Sequence, residues 1–100
     1  MALKVWRVSR RYIAGTTLEE ALDCVKTLNS SRMSATLDVL GEDTTTEEQA
    51  LDGEKIYQEA IRKINEHDLD ANISVKLSML GLRFDVSLCE SIVRRLTQTA

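Results

Sequence analysis

"TLDVLGEDT", residues 36–44, and "ANISVKLSML", residues 71–80, decide how this chain folds, because both read as β-strands. In the second, Ile73, Val75, Leu77 and Met79 alternate with Asn72, Ser74, Lys76 and Ser78, the period of two that gives a strand one apolar face. In the first, Ala35, Leu37 and Val39 form the apolar face and Thr36 and Asp38 the polar one, before Gly41 and Glu42 end the run. The expected strands are residues 34–40 and 72–79, each closed by a glycine, Gly41 or Gly81.

Working outward, helix signals flank both strands. Thr16 and Thr17 are each followed three residues later by a glutamate, Glu19 or Glu20, the spacing of a capping box. Leu18, Ala21, Leu22, Val25 and Leu28 then recur on one helical face, and Asn29, Ser30 and Ser31 close the element. Thr46 with Gln49 opens a long helix to about His67, whose inner stripe is Ala50, Gly53, Tyr57, Ala60, Ile61 and Ile64. Asp85 caps a last helix with Val86, Cys89, Ile92, Val93 and Leu96 on one side. The first eighteen residues hold Lys4, Arg7, Arg10 and Arg11 and no acid, which superficially resembles an organelle-targeting segment. The near-helical spacing of Val5, Val8, Tyr12 and Ile13 favours a helix with one basic face instead.

The order helix, strand, helix, strand, helix makes the two strands parallel, since a strand pair joined through a long helix needs a crossover connection. Parallel strands covered on both faces read as nearly continuous apolar runs, and these do not. Closure into a barrel accounts for the difference: outward residues meet helices, inward ones meet at the axis. The expected fold is α/β, a partial (βα)8 TIM-like barrel. Asp38 and Lys76 are then expected on one interior face of neighbouring strands, about 4.8 Å apart across the ladder, close enough to neutralise one another or jointly orient a charged substrate. Glu42 follows at the carboxyl end of the strand, where such barrels build their active sites, although a solvated turn residue would look the same.

At 100 residues the chain makes at most one domain, and 43% apolar with 29% charged residues is a globular balance. A net charge of -3 gives no electrostatic reason to expect nucleic acid. Cys24 and Cys89 lack metal-like spacing and read as buried free thiols, and His67 as a residue at a helix end. No metal site is expected. No apolar run has the length of a membrane span.

"RYIAGTTLEEAL", "TLDVLGED" and "DANISVKLSMLGLRFD" stand in the order and spacing of the amino-terminal part of proline dehydrogenases, and from Arg11 to Leu96 the chain resembles that family. The resemblance implies an FAD-dependent oxidoreductase on a distorted (βα)8 barrel that oxidises L-proline to 1-pyrroline-5-carboxylate in proline catabolism. A hydride would pass to the flavin and its electrons onward to a quinone-type acceptor. It implies that Lys76 helps bind the substrate carboxylate, and that Asp38 and Glu42 are the acid pair lining the site at the end of the first barrel strand. The implied location is the cytoplasm, peripheral association with the inner membrane, or the mitochondrion in a eukaryote. A whole barrel needs roughly 250 residues and eight strands. The strands that bind most of the flavin, the helix with paired substrate-binding arginines and any glycine-rich nucleotide loop are missing from these residues. Residues 1–100 are therefore expected to be an incomplete amino-terminal fragment of the barrel domain, inactive alone. The alternative is a free-standing, non-catalytic α/β binding or assembly module derived from such a barrel.

Overall fold

A computed structural model describes residues 2–7, 10–15 and 17–100, and the side chains of residues 17–39 and 41–100. The chain runs β1 (Ala2–Arg7), β2 (Arg10–Gly15), α1 (Leu18–Ser30), β3 (Ala35–Leu40), α2 (Glu47–Glu66), β4 (Ala71–Ser74), a 3₁₀ helix (Leu77–Leu80) and α3 (Val86–Thr99). The fold is α/β, with β3 and β4 parallel as the crossover through α2 requires.

The caps form where the sequence places them. The Thr17 hydroxyl accepts from the Glu20 amide at 3.2 Å, the Thr46 hydroxyl from Gln49 at 3.2 Å, and the Asp85 carboxylate from Leu88 at 3.0 Å. Thr16, the other candidate cap, lies outside the described residues, as does Val8. α1 and α2 both stop where a residue turns left-handed, Arg32 at φ 62° and Asp68 at φ 49°. Asn29 then ties the end of α1 to the start of β4: its amide donates to the Met33 and Asp70 carbonyls, and its Oδ1 accepts from the Asp70 amide.

Ala35, Leu37 and Val39 are buried on one face of β3, in a single core cluster with Ala21, Leu22 and Val25 of α1, Ala50 and Tyr57 of α2, and Cys89, Ile92 and Leu96 of α3. Thr36 and Asp38, of opposite parity, are half-buried. Val86, expected in the α3 stripe, is 64% exposed, because the first residue of the helix projects past the elements that cover Cys89 and Ile92. Cys89 is buried and Cys24 half-buried, and neither forms a disulfide.

Two expectations are corrected. The basic amino-terminal stretch forms no helix: β1 and β2 pair antiparallel, and β1 also pairs antiparallel with β3, giving the sheet order β2-β1-β3-β4. Valine, tryptophan and tyrosine favour an extended chain wherever a strand offers pairing, and the open side of β3 offers it. The second expected strand is also too long. β4 stays in register with β3 only from Ala71 to Ser74; Met79 N–H then donates to the Lys76 carbonyl at 3.0 Å to close the 3₁₀ turn. Gly81, at φ 95°, ends that turn rather than a strand. Met79 and Leu80, adjacent and both buried, break the period of two.

Candidate active site

The residues expected to form a site lie at or just beyond the carboxyl ends of β3 and β4. Asp38 is the last β3 residue in register with β4, and its partner is Ser74 rather than Lys76. Lys76 lies beyond the strand at the head of the 3₁₀ turn, so the expected Asp38–Lys76 juxtaposition across the ladder does not form. Its ammonium instead meets Asp43 Oδ1 at 3.2 Å. Glu42 is exposed in the turn after Gly41.

Asp43 is the residue that sequence reasoning passed over. Its Oδ1 also accepts from the Ser78 hydroxyl at 2.6 Å, and its Oδ2 faces Arg83 Nε at 3.1 Å. The Ser78 hydrogen bond, then Lys76 and Arg83, hold the Asp43 carboxyl below the usual carboxylate range against a smaller opposing effect of burial. Next to it, the Thr44 amide and hydroxyl both donate to the Ser78 carbonyl, at 2.9 and 3.2 Å. The β3–α2 loop and the turn after β4 are thereby stapled together. The signal in the sequence was the third residue of "GED", masked by its more conspicuous neighbour Glu42.

Tyr57 fixes the Lys76 backbone from below. Fully buried on α2, its hydroxyl accepts the Lys76 N–H at 3.1 Å and points its own hydrogen at Met79 Sδ, 3.5 Å away. Burial raises the Tyr57 pKa, the Lys76 amide opposes, and the nearby charge of Asp38 pushes further upward. Tyr57 thus links the Asp38 end of β3 to the Lys76 turn. Gly53, one helical turn earlier on α2, lets this packing close: a Cβ there would stand 2.8 Å from the Met79 carbonyl oxygen.

An open cleft of about 500 Å³ beside Gly41 and Gly53 is lined by Glu42, Asp43 and Asp52. Carboxylates at that density would repel a pyrophosphate, and the two cations beside Asp43, Lys76 and Arg83, are already engaged by it. The described residues therefore do not fit FAD on their own. A second groove, of about 530 Å³, is mostly apolar and runs along β4 between α2 and α3, past Ile61, Ile73, Val75, Leu77, Val93 and Leu96. No described helix is long and apolar enough to cross a membrane.

Comparison with known proteins agrees with the resemblance read from the three sequence blocks. The chain is 38% identical over 92 residues to Proline dehydrogenase 1 of Bacillus subtilis subsp. natto, covering 92% of this chain and 30% of that protein. To Proline dehydrogenase 1 of Bacillus subtilis strain 168 it is 37% identical over the same coverage, and to Proline dehydrogenase 2 of that strain 29% identical over 90 residues. No family model matches. The chain thus spans just under a third of the length of these curated relatives, and over that span it is similar to the amino-acid sequences of proline dehydrogenases.

Proposed function

We propose that these residues form part of a protein that oxidises L-proline to 1-pyrroline-5-carboxylate, and that their share of the work is to hold the substrate carboxylate through Lys76. The observation that carries this reading is the position of Lys76. Its side chain is 50% exposed just beyond the carboxyl end of the parallel β3–β4 pair. Barrel enzymes gather their reacting groups at that end. Asp43 occupies one direction of the ammonium, and among the described residues it is the ion-pair partner of Lys76, which has three hydrogens to give.

β3 and β4 are, in this reading, the first two strands of a (βα)8-type barrel. The half-buried Thr36 and Asp38 face the interior, and the buried Ala35, Leu37 and Val39 face the helical layer. The apolar groove along β4, with Val75 and Leu77 37% and 42% exposed, is where a further strand and helix would pack. Asp38 and Glu42 are assigned to the rim of the site. FAD is assigned as the oxidant, with its binding left mainly to the rest of such a protein, and a quinone-type molecule as the final acceptor. Residues 1–100 by themselves are proposed to be inactive.

The test is Lys76→Met in a protein that carries these residues together with the remaining length of its relatives. A charge-assisted contact is worth about 1.5–3 kcal/mol, so kcat/KM for proline should fall roughly ten- to a hundredfold with flavin content unchanged. Unchanged kcat/KM with a depressed thermal midpoint would leave Lys76 a structural partner of Asp43. For the 100 residues alone, flavin absorbance that survives desalting in stoichiometric amount would refute the assignment of FAD binding elsewhere.

A further inference from the structure

Three features compete for attention outside the roles already assigned. The Glu54–Arg95 pair joins two helices and leaves no room for a ligand between its atoms. The groove along β4 is apolar and already absorbed in the barrel reading. The third feature, the cluster on Asp43, is polar, half-exposed and built from two separate loops, and it has a consequence for how Lys76 works.

Lysine is a poor choice for fixing a ligand unless something holds it. Its four-carbon stem has many rotamers, and its ammonium is a point charge with no geometric preference. Here the backbone of Lys76 is held by Tyr57 and its head by Asp43 Oδ1. Asp43 cannot swing freely in turn, because Ser78 binds Oδ1 at 2.6 Å, Arg83 sits 3.1 Å from Oδ2, and Thr44 pins the Ser78 carbonyl from the same loop. The order of restraint runs from loop to carboxylate to ammonium. We propose that Asp43 is a positioning residue that preorganises the Lys76 ammonium for a substrate carboxylate, a role that rests on the substrate-binding reading of Lys76.

Asp43 carries one negative charge between two cations, so it does not neutralise both Lys76 and Arg83, although Glu42 and Asp52 line the same cleft. A small carboxylate is then held by direct contact with the placed Lys76 ammonium, against the opposing field of the neighbouring acids. Without Asp43 the ammonium would regain its rotamers and would have to be ordered again by each substrate molecule. Ordering one such side chain corresponds to a roughly two- to tenfold loss in binding, which appears in KM because a carboxylate contact is made in both ground and transition states.

The experiment uses the complete protein and a cycle of four forms: unmodified, Asp43→Ala, Lys76→Met and the double variant. Expected are a KM for L-proline raised roughly two- to tenfold by Asp43→Ala with kcat within about twofold, and no further rise when Asp43→Ala is added to Lys76→Met. Asp43→Glu, which restores the charge on a longer arm, should recover part of the KM. If Asp43→Ala proves insoluble, Asp43→Asn replaces it, since its amide oxygen still accepts from Ser78. An equal KM rise in the Lys76→Met background would overturn the proposal by showing that Asp43 acts on the site without Lys76. An unchanged or lowered KM from Asp43→Ala would overturn it too, the lowered value showing that Asp43 competes with substrate for the ammonium. If Lys76→Met itself leaves KM and kcat/KM untouched, the substrate-binding reading of Lys76 fails and the proposal falls with it.

Discussion

Arg95→Met tests the packing of α3 on α2. Glu54 lies on the buried side of α2, its side chain 12% exposed, and takes both oxygens to the Arg95 guanidinium: 2.8 Å to Nε and 2.7 Å to an Nη. The Gln58 amide also donates to Glu54, at 3.3 Å, a weak contact. Methionine fills much of the arginine stem but leaves the carboxylate without its two short, charge-assisted bonds. Breaking a fully buried pair costs about 3–5 kcal/mol. The Arg95 side chain is 46% exposed, so water reaches the pair and the lower figure of about 1.5–3 kcal/mol is the better guide. At roughly 4–8 °C per kcal/mol for a chain of this size, the thermal midpoint should fall on the order of 10 °C at pH 7. The pH dependence follows from Glu54, whose carboxyl is held below its ordinary value mainly by the Arg95 hydrogen bonds, against the opposing effect of burial. A depressed folded-state pKa contributes stability above the unfolded value, about 4.3, and loses it as pH falls through the folded one. In Arg95→Met the same carboxyl has lost that support, so it protonates at a higher pH than in the parent. The gap between parent and variant is therefore full at pH 7 and narrows as the solution is acidified below about pH 5. Circular dichroism melts of both proteins at pH 7, 5 and 3.5 measure it. A midpoint within a degree or two of the parent at pH 7, or a gap that stays constant down to pH 3.5, would refute the argument.

Gly53→Ala should destabilise the chain by about 1–3 kcal/mol although alanine is the better helix former, because the new methyl meets the Met79 carbonyl at 2.8 Å and a backbone atom cannot step aside. Gly41→Ala meets Met79 Cε at 2.7 Å, the end of a flexible side chain, and should cost less; urea midpoints of the two variants give the comparison. Tyr57→Phe removes the acceptor for the Lys76 amide and should cost about 1–2 kcal/mol by the same measurement, with faster hydrogen exchange at that amide.

Caps and helical faces were legible because their causes are local. A threonine three residues before a glutamate or glutamine needs only its own backbone, and Thr17 and Thr46 cap as their spacing implies. The parallel pairing was legible too, since a twenty-residue helix between two strands leaves little choice. The hairpin was not. Residues 2–15 carry apolar positions compatible with either period, and the unpaired side of β3, distant in sequence, decides between them. At the site, parity carried the reading up to Ser74 and failed after it. Lys76 has the right parity to face Asp38 only if the strand continues, whereas its amide turns to Tyr57, nineteen residues back along the chain, and its ammonium to Asp43.

β1 occupies one side of β3 along five of its six residues, from Ala2↔Leu40 to Trp6↔Thr36. A strand has two rails of hydrogen-bonding groups, and each group on a rail serves one neighbour at a time. In a closed parallel barrel every strand has a parallel neighbour on both sides. The hairpin and a closing strand would therefore occupy the same rail of β3, one excluding the other. Barrel closure on that side requires this ladder to unzip first, and the amides facing β1 would record the exchange of partners.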